Sequence, residues 1–175
     1  MLDALFRRGN PTNLWHRLDG LALSVDLLSP SINSIPIGSQ VDTFSFLGRS
    51  TSKIKTPLDY LDLGISLDYE DDGTVSGFQV ILNDANNEFS QFSGDIKLNG
   101  SAIKSAELLS GLGEPYWRDR DSEEIVSFYE YPTHEIQIEQ TLKGECQRII
   151  ATKHALMARP DQRKAYGVDK PWPPN

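Results

Sequence analysis

One short pattern occurs twice in this chain. Residues 32–48 and 98–113 align with a one-residue gap, and each runs from an apolar residue and Asn through a linker to a brief helical segment that stops at Leu-Gly. Ser39 and Ser105 are the predicted N-caps, because a serine hydroxyl accepts hydrogen bonds from the free amides of a first helical turn. The repetition predicts two structural units with the same plan.

Both copies are predicted to end in the same way. Gly48 and Gly113 follow the last apolar residue of each segment and are predicted C-caps, since glycine takes left-handed backbone conformations without strain. The apolar residues recur at a spacing of three, which places them on one side of each helix: Val41, Phe44 and Leu47 in the first copy, and Ala106, Leu109 and Leu112 in the second.

After each helical segment the apolar residues alternate with polar ones, which is typical of strands. In the first copy this alternation covers residues 63–69, and Asp72-Gly73 predicts a hairpin turn before a strand at 75–82. In the second copy it predicts strands at 125–131, 136–140 and 146–151.

We therefore predict an α+β fold of two tandem repeats, each a short helix followed by an antiparallel β-meander, with sheets that are shared or adjacent. Unit 1 spans residues 18–90 and unit 2 spans residues 91–152, together making one compact domain. Residues 153–175 are predicted to form a short helix and an extended, proline-rich tail, in which Trp172 packs back on the body.

The formal net charge of −8 limits the partners of the chain. Residues 21–146 hold most of the acids, whereas residues 147–175 hold more bases than acids. An acidic body repels phosphate backbones, so we expect no nucleic-acid partner and favour a basic protein. The single cysteine excludes an internal disulfide framework, and the absence of a long apolar run predicts a cytoplasmic protein with no membrane partner.

The second copy carries a resemblance to a known family. Its Leu112-Gly113-Glu114-Pro115 sequence, followed by an aromatic strand at 128–131, resembles the helix-plus-meander module of bacterial SmpA/BamE-type lipoproteins. Two such modules in tandem resemble the architecture of the β-lactamase inhibitory protein family. The resemblance implies a sheet that binds another protein and has no chemistry of its own, as in an inhibitor or an immunity protein directed against a basic enzyme or toxin.

The chain departs from that family at two points. Arg49 and Ser50 replace the Glu-Pro pair in the first copy. The inhibitor family is secreted and disulfide-bonded, whereas this chain contains only Cys146 and no signal sequence. The fold is therefore the better supported of the two implications.

Motifs that would carry chemistry are missing from the sequence. There is no phosphate-binding glycine loop, nucleophile elbow or zinc-binding histidine pair, and the calcium-loop-like Asp68–Gly73 stretch has Gln79 where a bidentate carboxylate is needed. We predict no catalytic residue, no metal site and no cofactor. Cys146 is predicted to be an inert strand residue.

Aromatic residues give the predicted binding site. Tyr129 and Tyr131 alternate on one strand and project to the same side, and tyrosine and tryptophan suit protein interfaces. The predicted site consists of Tyr116, Trp117, Tyr129 and Tyr131 as anchors with Asp119 and Glu124 as a charged rim. If these aromatics are instead core, Phe128 and Val126 face outward and require a terminal segment to cover them.

Two alternatives remain open at this point. One is a small hydrolase or ligand-binding enzyme that uses His134 or His16 with clustered acids. The other is a structural scaffold component whose aromatics are all core. A homodimer is also left open, because the predicted strands leave sheet edges that something must cover.

Overall fold

The computed structural model describes residues 10–174. The fold is mixed α+β, with two sheets and a few short helices. Within the described residues the strands are β1 Ser24–Asp26, β2 Ser31–Ile32, β3 Ile35–Pro36, β4 Leu58–Tyr60, β5 Ile65–Tyr69, β6 Val75–Ile81, β7 Asp95–Leu98, β8 Ser101–Ile103, β9 Trp117–Arg120, β10 Glu124–Glu130, β11 Glu135–Thr141 and β12 Cys146–Thr152. The α-helices are α1 Leu108–Leu112 and α2 Pro160–Ala165, and 3-10 helices span Pro11–Leu14, Val41–Leu47, Ser105–Glu107 and Leu156–Ala158.

Each sheet combines strands from the first and second halves of the chain. The smaller sheet has the order β3-β2-β1-β7-β8, and its central β1–β7 pair is parallel, with Val25 opposite Ile96. The larger sheet has the order β4-β5-β6-β12-β11-β10-β9 and is antiparallel throughout, with Ile149 of β12 opposite Val80 of β6. Neither sheet is therefore built from one half of the chain alone.

Two tight hairpins have the same turn geometry. Asn33 and Ser34 join β2 to β3, Asn99 and Gly100 join β7 to β8, and all four have positive φ. Positive φ at both central residues is the geometry of the two-residue turn that matches the twist of a hairpin. The Asp26 carboxylate accepts hydrogen bonds from the amides of Asn99 and Gly100, which ties β1 to the second hairpin.

The first repeated segment folds as the 3-10 helix Val41–Leu47, with Val41, Phe44 and Leu47 buried as predicted. The Ser39 N-cap is wrong, because the helix starts after Gln40 without a side-chain cap. The C-cap is confirmed, since Gly48 has φ 82° and donates its amide to the Ser45 carbonyl.

The second repeated segment folds as a 3-10 turn that continues into α1. Ser105 is a helical residue and Lys104 precedes the turn without a side-chain cap, so the Ser105 N-cap is also wrong. The buried residue is Leu108 and not Ala106, which is exposed, because the change from 3-10 to α geometry rotates the apolar face. The Gly113 C-cap is confirmed, with φ 79°.

The two sheets share one apolar core. We call the core-facing side of the larger sheet its inner face, and it contributes Tyr60, Ile65, Leu67, Phe78, Val80, Tyr129, Ile136, Ile138, Ile149 and Ala151. The smaller sheet contributes Val25, Ile32 and Ile96, and the two repeated helical segments add Phe44 and Leu108.

The C-terminal segment, residues 155–174, covers one end of the opposite, outer face of the larger sheet. Phe128 and Val126 of β10 pack there with Met157, Tyr166 and Trp172. The rings of Phe128 and Tyr166 meet edge to face, with centroids 5.6 Å apart. No helix of residues 10–174 combines the length and apolarity needed to span a bilayer.

Candidate functional site

The β9–β10 ladder stops before β10 does. Trp117 opposite Phe128 is the last pair, and continuing the register would set Pro115 opposite Glu130. Proline has no amide hydrogen to donate to a neighbouring strand, so the pairing cannot be extended there. The end of β10 is therefore an unpaired edge.

A cavity of about 210 Å³ lies at this edge. We call it the tyrosine pocket, and its lining consists of Leu112, Glu114, Pro115, Tyr116, Tyr129, Glu130, Tyr131 and Pro174. Three of the predicted site residues, Tyr116, Tyr129 and Tyr131, come together here. The Leu-Gly-Glu-Pro sequence, which carried the family resemblance, forms one wall.

Tyr116 is held in place by the C-terminal segment. Its hydroxyl lies 3.1 Å from the carbonyl oxygens of both Lys170 and Pro171, and it donates to them. In return, the Lys170 ammonium donates to the Tyr116 carbonyl at 3.0 Å. Burial raises the pKa of Tyr116, so the hydroxyl keeps its proton for these hydrogen bonds.

Tyr129 is the least exposed residue of the pocket lining, at 3%. Its hydroxyl is buried and has no hydrogen-bond partner among residues 10–174. Burial raises the pKa of Tyr129, and the nearby Glu114 carboxylate contributes to the same shift. A buried hydroxyl without a partner costs free energy, so this atom is one that a ligand can satisfy.

Tyr131 stacks on a buried histidine. The rings of Tyr131 and His134 lie nearly parallel, at 11°, with centroids 4.7 Å apart. Burial lowers the pKa of His134, which favours the neutral ring. His134 thus supports one wall of the pocket, but it does not line the pocket itself.

Glu130 forms the side of the pocket nearest the outer face. It stands opposite Glu135 on β11, and Glu135 is fully buried. The pKa of Glu130 is raised to about 8. Burial is the largest cause of this shift, and a hydrogen bond with Glu135 is the next. The Trp172 indole donates to Glu130 at 2.9 Å, which opposes that shift.

The other three predicted site residues lie outside the pocket. Trp117 is partly buried against the outer-face cluster. Asp119 pairs with Val126, and Glu124 pairs with Thr141, so both also belong to the outer face. The predicted site is therefore divided between the pocket and the outer face, with Tyr129 on the core side.

Sequence reasoning missed Glu130 and Glu114 as site residues. Glu130 lies between Tyr129 and Tyr131 in the sequence, and alternation places its side chain on the opposite face of the sheet from theirs. Its pairing with Glu135 depends on the β10–β11 register. Glu114 is part of the Leu-Gly-Glu-Pro sequence, which was a signal for the fold and also marks one wall of the pocket.

The remaining titratable candidates are dispersed. His16 is exposed just after the 3-10 helix Pro11–Leu14. His154 is also exposed, and its ring nitrogen lies 2.6 Å from a Glu70 carboxylate oxygen. Burial raises the pKa of Cys146, which disfavours the reactive thiolate. Among residues 10–174 no cluster of His, Cys, Asp and Glu has the arrangement needed to hold a metal ion.

Three other depressions are larger than the tyrosine pocket. The smallest of them, of about 250 Å³, is lined by Leu82, Gln91, residues 105, 106 and 109, and residues 144–146. The other two lie near the start of the described chain. One, of about 530 Å³, is lined by residues 14–19 with Ser45 and Phe46, and the other, of about 590 Å³, by Asn10, Asn13 and residues 49–53. None of the buried polar side-chain atoms that lack a partner among residues 10–174 belongs to any of these three linings. The tyrosine pocket is therefore the better candidate site despite its smaller volume.

Comparison with known proteins adds little to this geometry. No family model matches the chain, and no curated protein matches it, so the SmpA/BamE resemblance stays a prediction. One solved structure is similar: a DUF4309 family protein, YjgB, from Bacillus subtilis, at 13% identity and a TM-score of 0.43. The similarity covers 63% of this chain and 75% of that one.

Proposed function

We propose that the protein is a non-enzymatic protein-binding module that docks its partner at the tyrosine pocket. The observation that carries the proposal is the convergence of three tyrosines on a cavity of about 210 Å³, with the Tyr129 hydroxyl buried and without a hydrogen-bond partner in the described part of the chain. Tyrosines at the centre of an interface contribute much of its binding free energy, because they bury large surfaces at a low entropic cost.

We also propose that the two halves are tandem copies of one unit. Each has a tight hairpin with an Asn turn, then a short helix ending at Leu-Gly, then an antiparallel meander. Only the second copy has Glu114 and Pro115 after its glycine, where the first has Arg49 and Ser50. In this proposal the change to Glu-Pro ended the ladder early and created the binding site in one copy.

The partner in this proposal is a basic protein, which the protein binds as an inhibitor or immunity-type factor. The formal net charge of −8 favours an encounter with a positively charged surface. Glu114, which is exposed at the rim of the pocket, places a negative charge at the docking site itself.

Selection of displayed peptides on the immobilised full-length protein tests the proposal. Enriched peptides are measured against the native protein, Leu112→Ala and Leu142→Ala. Leu112 lines the pocket, whereas Leu142 lies 41% exposed in the β11–β12 turn. We expect Leu112→Ala to weaken binding about fivefold or more, as for a residue central to an interface, and Leu142→Ala to have no effect.

Peptides that bind both variants as well as they bind the native protein would place the binding surface elsewhere. A selection that enriches no peptide above background would also count against a protein-binding role, provided that each variant shows native circular dichroism.

A further inference from the structure

We infer that the group entering the tyrosine pocket is an organic cation, the ammonium or guanidinium end of a lysine or arginine side chain of the partner. The inference rests on the proposed function and specifies the chemistry of its ligand. It follows from the rings, the hydrogen-bonding groups and the charges that line the pocket.

The rings are the first line of support. Tyr116, Tyr129 and Tyr131 all line the cavity, whose volume of about 210 Å³ suits the end of one long side chain. The face of an aromatic ring is the negative part of its quadrupole, so it attracts ammonium and guanidinium groups that approach within about 6 Å of the centroid. The chain already contains such a contact, in which the Lys55 ammonium lies 5.7 Å from the centroid of the Tyr69 ring.

The second line is the oxygen atoms of the lining residues. The Tyr129 hydroxyl is buried without a partner among residues 10–174 and can accept a hydrogen bond, and the Glu130 carboxyl group becomes an additional acceptor once it loses its proton. Glu114 adds a carboxylate at the rim. Lysine and arginine carry only donors, so a side chain of either type can donate to these oxygen atoms.

The basic side chains near the pocket among residues 10–174 do not fill this role. Arg118, Arg163 and Lys170 lie nearby, but none of them lines the pocket. Each donates instead to a hydroxyl or a main-chain carbonyl of the protein, at 2.7–3.2 Å. They fix the surrounding structure and leave the pocket to an external cation.

The protonation of Glu130 is consistent with this ligand. Glu130 faces Glu135 from β11, Arg163 from α2 and the Trp172 indole, and its raised pKa means that it holds a proton near neutral pH. A cation beside it favours the carboxylate, so binding displaces that proton. Below about pH 8 we therefore expect cation binding to release protons and to tighten as the pH rises.

The test is a titration of the full-length protein with four small probes of similar size: n-butylammonium, n-propylguanidinium, n-butanol and butyrate. Nuclear magnetic resonance of the tyrosine rings reports binding in the millimolar range expected for such fragments. We expect the two cations to shift the resonances of Tyr129 and Tyr131, and the alcohol and the anion to shift neither.

A matched pair of variants isolates the charge. Glu114 at the pocket rim and Glu123 in the β9–β10 turn are both exposed. We expect Glu114→Gln to weaken cation binding about threefold, in line with one exposed charge pair, and Glu123→Gln to leave it unchanged.

The outcomes separate the inference from the proposed function. Equal binding of n-butanol, preference for butyrate, or no shift with either cation overturns the inference. Selected peptides that bind at the pocket without any lysine or arginine overturn it too, yet leave the protein-binding role intact. Cation binding at the pocket together with a failed peptide selection supports the inference and contradicts the proposed function.

Discussion

Glu130 and Glu135 stand directly opposite each other on neighbouring strands, and each contacts a different end of the C-terminal segment. Glu135 accepts a hydrogen bond from the Met157 amide at 3.2 Å, where the segment begins. Glu130 accepts one from the Trp172 indole at 2.9 Å, where the segment ends. Burial and the neighbouring Glu135 raise the pKa of Glu130 to about 8, so the attachment of the Trp172 end of the segment depends on the protonation of Glu130.

The indole of Trp172 is expected to contribute measurably to stability. Trp172→Phe removes the donor to Glu130, and we expect the free energy of unfolding to fall by about 1 to 2 kcal/mol. Trp117→Phe is the matched control, because the buried Trp117 indole has no partner among the described residues. Urea denaturation of both variants measures the difference, and an equal loss in the two would contradict a role for the Glu130 hydrogen bond.

Stability is expected to fall as the pH rises from weakly acidic to alkaline. Glu130 has a pKa of about 8 in the folded protein against an ordinary value of 4.5, so the folded state binds the extra proton between these values. Its stabilising contribution is present in full below about pH 4.5 and is lost as the pH rises through about 8.

Urea denaturation at a series of pH values from 5 to 9 checks this dependence. Glu130→Gln keeps a neutral side chain of similar shape, and its stability should vary less over the same range. A Glu130→Gln profile as steep as the native one would assign the pH dependence to other groups.

The tyrosine hydroxyls of the pocket are expected to differ in their effect on stability. Tyr116→Phe removes the hydrogen bonds to the Lys170 and Pro171 carbonyls and should cost about 1 kcal/mol. Tyr129→Phe removes a buried hydroxyl that has no partner within residues 10–174, so stability should stay constant or increase. Thermal or urea denaturation compares the two, and a clear loss in Tyr129→Phe would show that its hydroxyl is already bonded.

The two Leu-Gly helix ends are expected to tolerate alanine unequally. Gly48 and Gly113 both have positive φ, so Gly→Ala should cost about 1 to 2 kcal/mol at either position. A Cβ at Gly48 would lie 2.9 Å from the Arg17 backbone nitrogen, whereas a Cβ at Gly113 meets no atom within 4 Å.

We therefore expect Gly48→Ala to be the more destabilising of the two by about 1 kcal/mol or more. The difference in urea midpoint at equal m-value measures it. Equal midpoints would mean that the segment around Arg17 moves away at little cost.

The longer strands could be read from the sequence because alternation needs several residues to become visible. The predicted strand at 136–140 lies within β11, and the one at 146–151 lies within β12. The short strands β2, β4 and β9 show no clear period, and they were not predicted.

The exposure of the aromatic face could not be predicted, because it depends on a distant segment. Alternation established that Tyr129 and Tyr131 share a side and that Phe128 takes the other. Whether the Phe128 side is solvated depends on residues 155–174, which pack over it. The pocket was hidden for a similar reason, since it requires the β9–β10 register that brings Pro115 opposite Glu130.

The parallel pairing of Val25 with Ile96 has a consequence for synthesis of the chain. When β1, β2 and β3 have emerged from the ribosome, the parallel partner of β1 has not yet been synthesised, because β7 lies about seventy residues further along the chain. The larger sheet is also completed late, because β6 pairs with β12, the last of its strands to be synthesised. A nascent chain halted before β7 therefore exposes open strand edges, and folding is completed only once both halves have emerged.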